Sequence, residues 1–145
     1  NLIIGRKTAM LLKENIGNAL PDEEPVSYPV VGMNVLSGLP IEAEVSSDKI
    51  YNATRDNLAS ICNSVRMVLE KTPPEIARDI VKSGIYITGG SSRFRNLDKL
   101  FEQISGIKVN TCEQPDETVV RGLAAIVSDQ KYKNLSYTMK TKVFK

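Results

Sequence analysis

The sequence contains no histidine. Ser-His and Cys-His nucleophilic chemistry is therefore excluded, and so is a metal site ligated by imidazole. Cysteine is nearly as scarce: Cys62 and Cys112 stand alone, and no cysteine cluster has zinc spacing. Cys62 falls on the apolar stripe of a predicted helix and Cys112 at the end of a predicted strand. Both read as small buried hydrophobes in a reducing, cytoplasmic setting rather than as a disulfide. No apolar run approaches the roughly 20 residues that span a bilayer. The opening Asn1-Leu2-Ile3-Ile4-Gly5 lacks signal-peptide layout and does not begin with Met, so the chain reads as a fragment or a processed product. Internal repeats and low-complexity segments are absent too.

What is there suits an ordinary globular protein: 145 residues, enough for one domain or two small subdomains sharing an interface. The net charge of +2 conceals an asymmetry. Residues 131–145 carry Lys131, Lys133, Lys140, Lys142 and Lys145 and no acid; with these five set aside, 14 basic residues face 17 acids. The tail, with Tyr132, Tyr137 and Phe144, is either a solvated terminus or a contact for an anionic membrane surface. No nucleic-acid partner is expected.

Residues 6–17 are predicted to be helical, because Ala9, Leu12, Ile16 and Ala19 recur at helical spacing and Gly17 suits the C-terminal end. Arg6, Met10 and Lys13 share another face. Pro21-Asp22-Glu23-Glu24-Pro25 is an acidic, proline-bounded loop. From Val26 to Val45 the pattern is β, with clean alternation in Ile41-Glu42-Ala43-Glu44-Val45. Gly32 and Ser37-Gly38 mark two turns of a small antiparallel meander, and Pro29 makes its first strand an edge. Ser46 or Ser47 caps a long helix over 48–70, with Ile50, Thr54, Leu58, Ile61, Val65, Val68 and Leu69 as its core stripe. Thr72-Pro73-Pro74-Glu75 reads as a capping box with proline at the first helical position, opening a helix that ends at Gly84.

The strand Ile85-Tyr86-Ile87-Thr88 then runs into Gly89-Gly90-Ser91-Ser92. Such a turn either serves packing alone or lets a ligand approach the backbone, with the following helix offering N–H groups to an anion. A helix over 93–104 turns Leu97, Leu100, Phe101 and Ile104 inward and stops at Gly106; a strand follows at 107–111. Glu113, Asp116 and Glu117 cluster beside Pro115 as a helix start, with Asp116 the cap and Val119, Val120, Leu123, Ile126 and Val127 the apolar residues. This half therefore predicts parallel strands joined by a crossover helix.

Several of these stretches together resemble the bacterial actins of the MreB/Mbl family. Ile4-Gly5, Thr8-Ala9, Lys13 and Ile16-Gly17 are similar to that family's helix, and Leu36-Ser37-Gly38-Leu39-Pro40 to its T-G-L-P turn. Val68-Leu69-Glu70-Lys71-Thr72-Pro73-Pro74-Glu75 matches its L-E-K-T-P-P-E segment almost letter for letter. Gly84 to Gly90 resembles its adenosine motif, and Asn96-Leu97-Asp98-Lys99-Leu100 the helix after it. The similarity spans about residues 2–128.

The resemblance implies an α/β, actin-like ATPase (ribonuclease H-like) fold, of which this chain is a partial second lobe. Residues 1–70 would be an α+β outer subdomain (IIB), 71–130 the later half of the inner one (IIA), and 131–145 a basic tail. It implies ATP or ADP with Mg²⁺ as cofactor. Lys13 matches a position approaching the adenosine, and Gly89, Gly90 and Ser91 the turn along sugar and phosphates. Phe94 is either a ring against the adenine or an ordinary packed helix residue. The family usually carries Glu where Arg6 and Met10 stand. Met10 can pack on a base but accepts no strong hydrogen bond, so adenosine recognition is expected to be weaker or altered. The family's phosphate hairpins and catalytic carboxylates have no counterpart in these residues, so the chain alone is not expected to hydrolyse ATP, and one edge of the 85–88/107–111 sheet is expected to be unpaired. Implied partners are other filament subunits, through the meander and the loop at 22–24, and a RodZ-type adaptor. The implied setting is a cytoplasmic, membrane-associated filament governing cell shape. A different reading of the chain is a nucleotide-independent self-association module. A third, a plasmid-segregation actin or heat-shock-type chaperone, is opposed by L-E-K-T-P-P-E.

Overall fold

A computed structural model of the chain describes residues 2–135. The expected basic tail enters it only as the end of a 3-10 stretch, Gln130–Leu135; the rest of the tail lies outside the described residues.

Alternating apolar residues make strands that bury one face. Strands β1 (Leu2–Ile3), β2 (Ser27–Asn34) and β3 (Pro40–Ser46) form an antiparallel sheet in that order. Its register sets Val30 opposite Ala43 and Tyr28 opposite Val45. Helix α1 (Arg6–Ile16) lies against it, and Leu12, Ile16 and Val30 form a first core with Leu2, Ile4, Tyr28, Val45 and Ile50 around them. Two expectations are corrected here. Gly32 is no turn: it lies within β2, where a Cβ would come 2.7 Å from the Ile3 carbonyl oxygen, so the absent side chain lets β1 approach. Pro29 therefore belongs to the central strand rather than an edge. Because β1 pairs only with Met33 and Asn34, β2 has a single neighbour at Pro29 among the described residues, and a residue lacking an N–H is tolerated there.

Helix α2 (Ser47–Glu70) starts where expected, with Ser46 Oγ accepting from the Asp48 N–H at 3.3 Å. Its inward stripe runs through buried Leu58 and Cys62, while Ile61 and Val68, assigned to the core from spacing, are exposed. The capping box does not form. Thr72 Oγ1 donates back to the Val68 carbonyl at 2.8 Å, and helix α3 (Pro74–Ser83) begins after Pro73 with no side-chain cap. Proline at its first position and Gly84 at its end are as expected.

Strands β4 (Ile85–Ile87) and β5 (Val109–Thr111) pair in parallel, joined by helix α4 (Leu97–Ser105). The helix expected from 93 starts later. A 3-10 turn, Gly90–Arg93, comes first, and Asn96 at φ 57° breaks the chain before Leu97. The second core joins Ala19, Leu58 and Cys62 to Leu97, Phe101 and Val109. The last helix, α5 (Thr118–Ser128), has no buried residue. Of the apolar residues named for it, Val119, Val120, Leu123 and Val127 are exposed, and its main neighbour among the described residues is the 3-10 stretch that follows it.

Candidate functional site

A cleft of ≈ 1000 Å³ opens between α1 and α2 on one side and the turn after β4 on the other. On α1, the spacing that sends Leu12 and Ile16 inward turns Met10, Lys13 and Glu14 to the cleft. Helix α2 adds Thr54, Asn57 and Ile61, so the exposure of Ile61 has a place: the stripe is part core and part cleft wall. The C-terminal end of β4 supplies Thr88, Gly90, Ser91, Arg93 and Phe94.

Five of the six residues singled out by sequence thus line one cavity: Met10, Lys13, Gly90, Ser91 and Phe94. Gly89 does not. Its φ of 85° makes the turn, its N–H donates to the Pro115 carbonyl at 2.7 Å, and its carbonyl accepts from Ser92 Oγ at 2.8 Å. A Cβ on Gly90 would meet no atom of the described residues within 4 Å, so the cleft floor there is open backbone. Phe94 does two things. Its ring packs on the second core and lies against Gly17, where any Cβ would strike it, and it also lines the cleft.

Residues not anticipated are Glu14, Asn57, Arg93 and Asp116. Glu14 was legible, one helical turn from Met10 and beside Lys13. Arg93 and Asp116 were not: they lie 23 residues apart and meet only because β4 and β5 are parallel neighbours. Asp116 is not the cap of α5. Its carboxylate accepts from Arg93 Nη2 at 2.5 Å, and that bond, with one from its own backbone, holds its pKa below the ordinary range. Burial pushes the Cys62 thiol up, and both cysteines are free.

Behind the cleft, Asn18 is 3% exposed and fully engaged. Its Nδ2 donates to Asp22 Oδ1 at 2.7 Å and its Oδ1 accepts from Asn96 Nδ2 at 2.9 Å. Arg95 Nη2 donates to both Asp22 oxygens, at 2.6 and 2.8 Å. Burial raises the pKa of Asp22, but hydrogen bonds from Ser47 and Asn18 and the charge of Arg95 outweigh it and leave it lowered. Asp22 is therefore mostly covered, whereas the other residues of the acidic loop, Glu23 and Glu24 among them, are exposed.

The family model for MreB/Mbl proteins matches residues 1–135. The chain belongs to the MreB/Mbl family. It is 38% identical over 120 residues to the cell shape-determining protein MreB of Escherichia coli K12, covering 83% of this chain and 35% of the relative. To the cell shape-determining protein Mbl of Bacillus subtilis 168 it is 32% identical over 128 residues, covering 88% and 38%. Among solved structures, MreB5 of Spiroplasma citri bound to ADP superposes with a TM-score of 0.84 at 34% identity, over 93% of this chain and 41% of that one. The same protein bound to AMPPNP gives 0.83. The chain thus spans little more than a third of the length of its curated MreB and Mbl relatives. Its fold is part of an actin-like α/β fold.

Proposed function

We propose that this chain is the nucleoside-holding side of an MreB/Mbl-type actin-like ATPase, which assembles with ATP into cytoplasmic filaments governing cell shape. The cleft carries the reading: it gathers Met10, Lys13, Gly90, Ser91 and Phe94 from distant parts of the chain. Its chemistry fits a nucleoside phosphate. Phe94 and Met10 offer apolar contact for a base, and open backbone at Gly90 leaves room for sugar and phosphate. Lys13 offers a cation. Glu14 restores, one turn along, the carboxylate that Met10 lacks, and would accept from ribose hydroxyls or an exocyclic amine. When bound, the triphosphate supplies the bond whose hydrolysis would regulate assembly. Magnesium enters only through the family resemblance, and we assign it no ligand here. Support also comes from the relatives of like fold bound to ADP and AMPPNP.

In this reading residues 1–70 and 71–130 are the outer and inner subdomains. The exposed loop residues Val35, Leu36 and Leu39 suit a filament contact; a RodZ-type adaptor on the inner subdomain is suggested by family analogy, and the basic charge of residues 131–145 suits an anionic membrane surface. A second reading, assembly without nucleotide, is favoured by the exposed apolar face of α5.

Calorimetry with ADP and ATP separates the two. Binding weakened about tenfold or more by Lys13→Ala and by Phe94→Ala is the expected result. A folded chain that ignores both nucleotides would leave the assembly module as the better account.

A further inference from the structure

The two walls of the cleft come from chain segments that also meet behind it. Helix α1 carries Met10, Lys13 and Glu14, and ends at Ile16, with Gly17 leading into Asn18. The turn carrying Gly90, Ser91 and Phe94 runs directly into Arg95 and Asn96. These two continuations are bound to each other by backbone and side chain. The Ala19 N–H donates to the Arg95 carbonyl at 2.8 Å, and Asn18 and Arg95 form an isolated parallel bridge. Around that bridge close the Asn96–Asn18–Asp22 hydrogen bonds and the Arg95–Asp22 ion pair, and Gly17 admits the Phe94 ring at the same level. The buried Asn18 amide links the two sides: its Oδ1 accepts from Asn96 Nδ2 across the junction, and its Nδ2 donates on its own side to Asp22, which Arg95 meets from across.

We propose that Asn18, Asp22, Arg95 and Asn96 are positioning residues that clasp the two walls, fixing whether one nucleoside can touch Lys13 and Ser91–Phe94 together. None of them lines the cleft, so they act through its walls. A partly exposed ion pair alone is worth little. Here it is tied to a buried amide: Asn18 Nδ2 donates to the same Asp22 carboxylate, so loss of Asp22 takes a partner from both Asn18 and Arg95. The effect on affinity rests on the nucleotide reading above; the holding of the walls does not.

The test is amide hydrogen exchange and ADP calorimetry on the full chain and on Arg95→Ala, Arg95→Lys and Asp22→Asn. In Arg95→Ala and Asp22→Asn the Ala19 and Leu20 amides should exchange about tenfold faster, with the Leu12 amide in α1 unchanged, and ADP affinity should fall by about tenfold. Arg95 uses one nitrogen for both contacts, so Arg95→Lys should recover most of both effects. Faster exchange at Leu12 as well would overturn the proposal, since the cluster would then support overall stability only. Local opening with unchanged ADP affinity would also overturn it. If the unaltered chain binds no ADP, the nucleotide reading fails instead, and exchange at Ala19 by itself decides whether the clasp holds the walls.

Discussion

Asp22 illustrates how one residue's role changes between sequence and structure. In the sequence it is the first acid of an exposed-looking loop. In the fold it is mostly covered, and its carboxylate takes bonds from Asn18 and Arg95. Its pKa lies below the ordinary 3.8. A carboxylate with a depressed folded pKa contributes stability that is complete above the unfolded value and is lost as pH falls through the folded one. Urea midpoints followed from about pH 7 to about pH 2 should therefore drop more steeply for the unaltered chain than for Asp22→Asn, and the two curves should converge at the acid end. Arg95 is nearly half exposed, which screens part of the effect. A parallel pair of curves would mean that the carboxylate's charge is not what the cluster uses.

At the scale of elements, the helices divide by what they cover. Leu12 of α1 is 0% exposed, sealed against β2, and its truncation should cost about 2–5 kcal/mol in denaturant unfolding. Leu123 of α5 is apolar and fits the helical pattern equally well, yet it is 58% exposed. Leu123→Ala should shift stability by no more than about 0.5 kcal/mol. Equal losses would mean that α5 packs more tightly than its exposure implies. Periodicity identified both helices, because a stripe of apolar residues is written in the spacing. Which stripe meets a partner is not, since burial needs a second element opposite.

For the molecule as a whole, exposed apolar residues gather on the loop between β2 and β3 and on α5. Such surface invites association, and the filament reading assigns the loop to it. Sedimentation equilibrium should detect concentration-dependent self-association, reduced by Leu36→Asp with Leu39→Asp while ADP affinity stays the same. Unaltered association in that variant would move the contact to another face, α5 first.

By itself the sequence determined the order and type of most elements, the parallel βαβ unit, the family, and five residues of one cleft. Those are local or motif-borne properties: helical spacing, strand alternation, glycines at turns, L-E-K-T-P-P-E. Tertiary structure alone decided that Gly32 is a crossing point rather than a turn, that Pro29 sits in a central strand, and that Gly89 faces Pro115 instead of the cleft. It also paired Arg93 with Asp116 and closed Arg95 on Asp22, 73 residues away. Register and long-range pairing depend on what each strand and turn meets in space, and no short stretch of sequence carries that information.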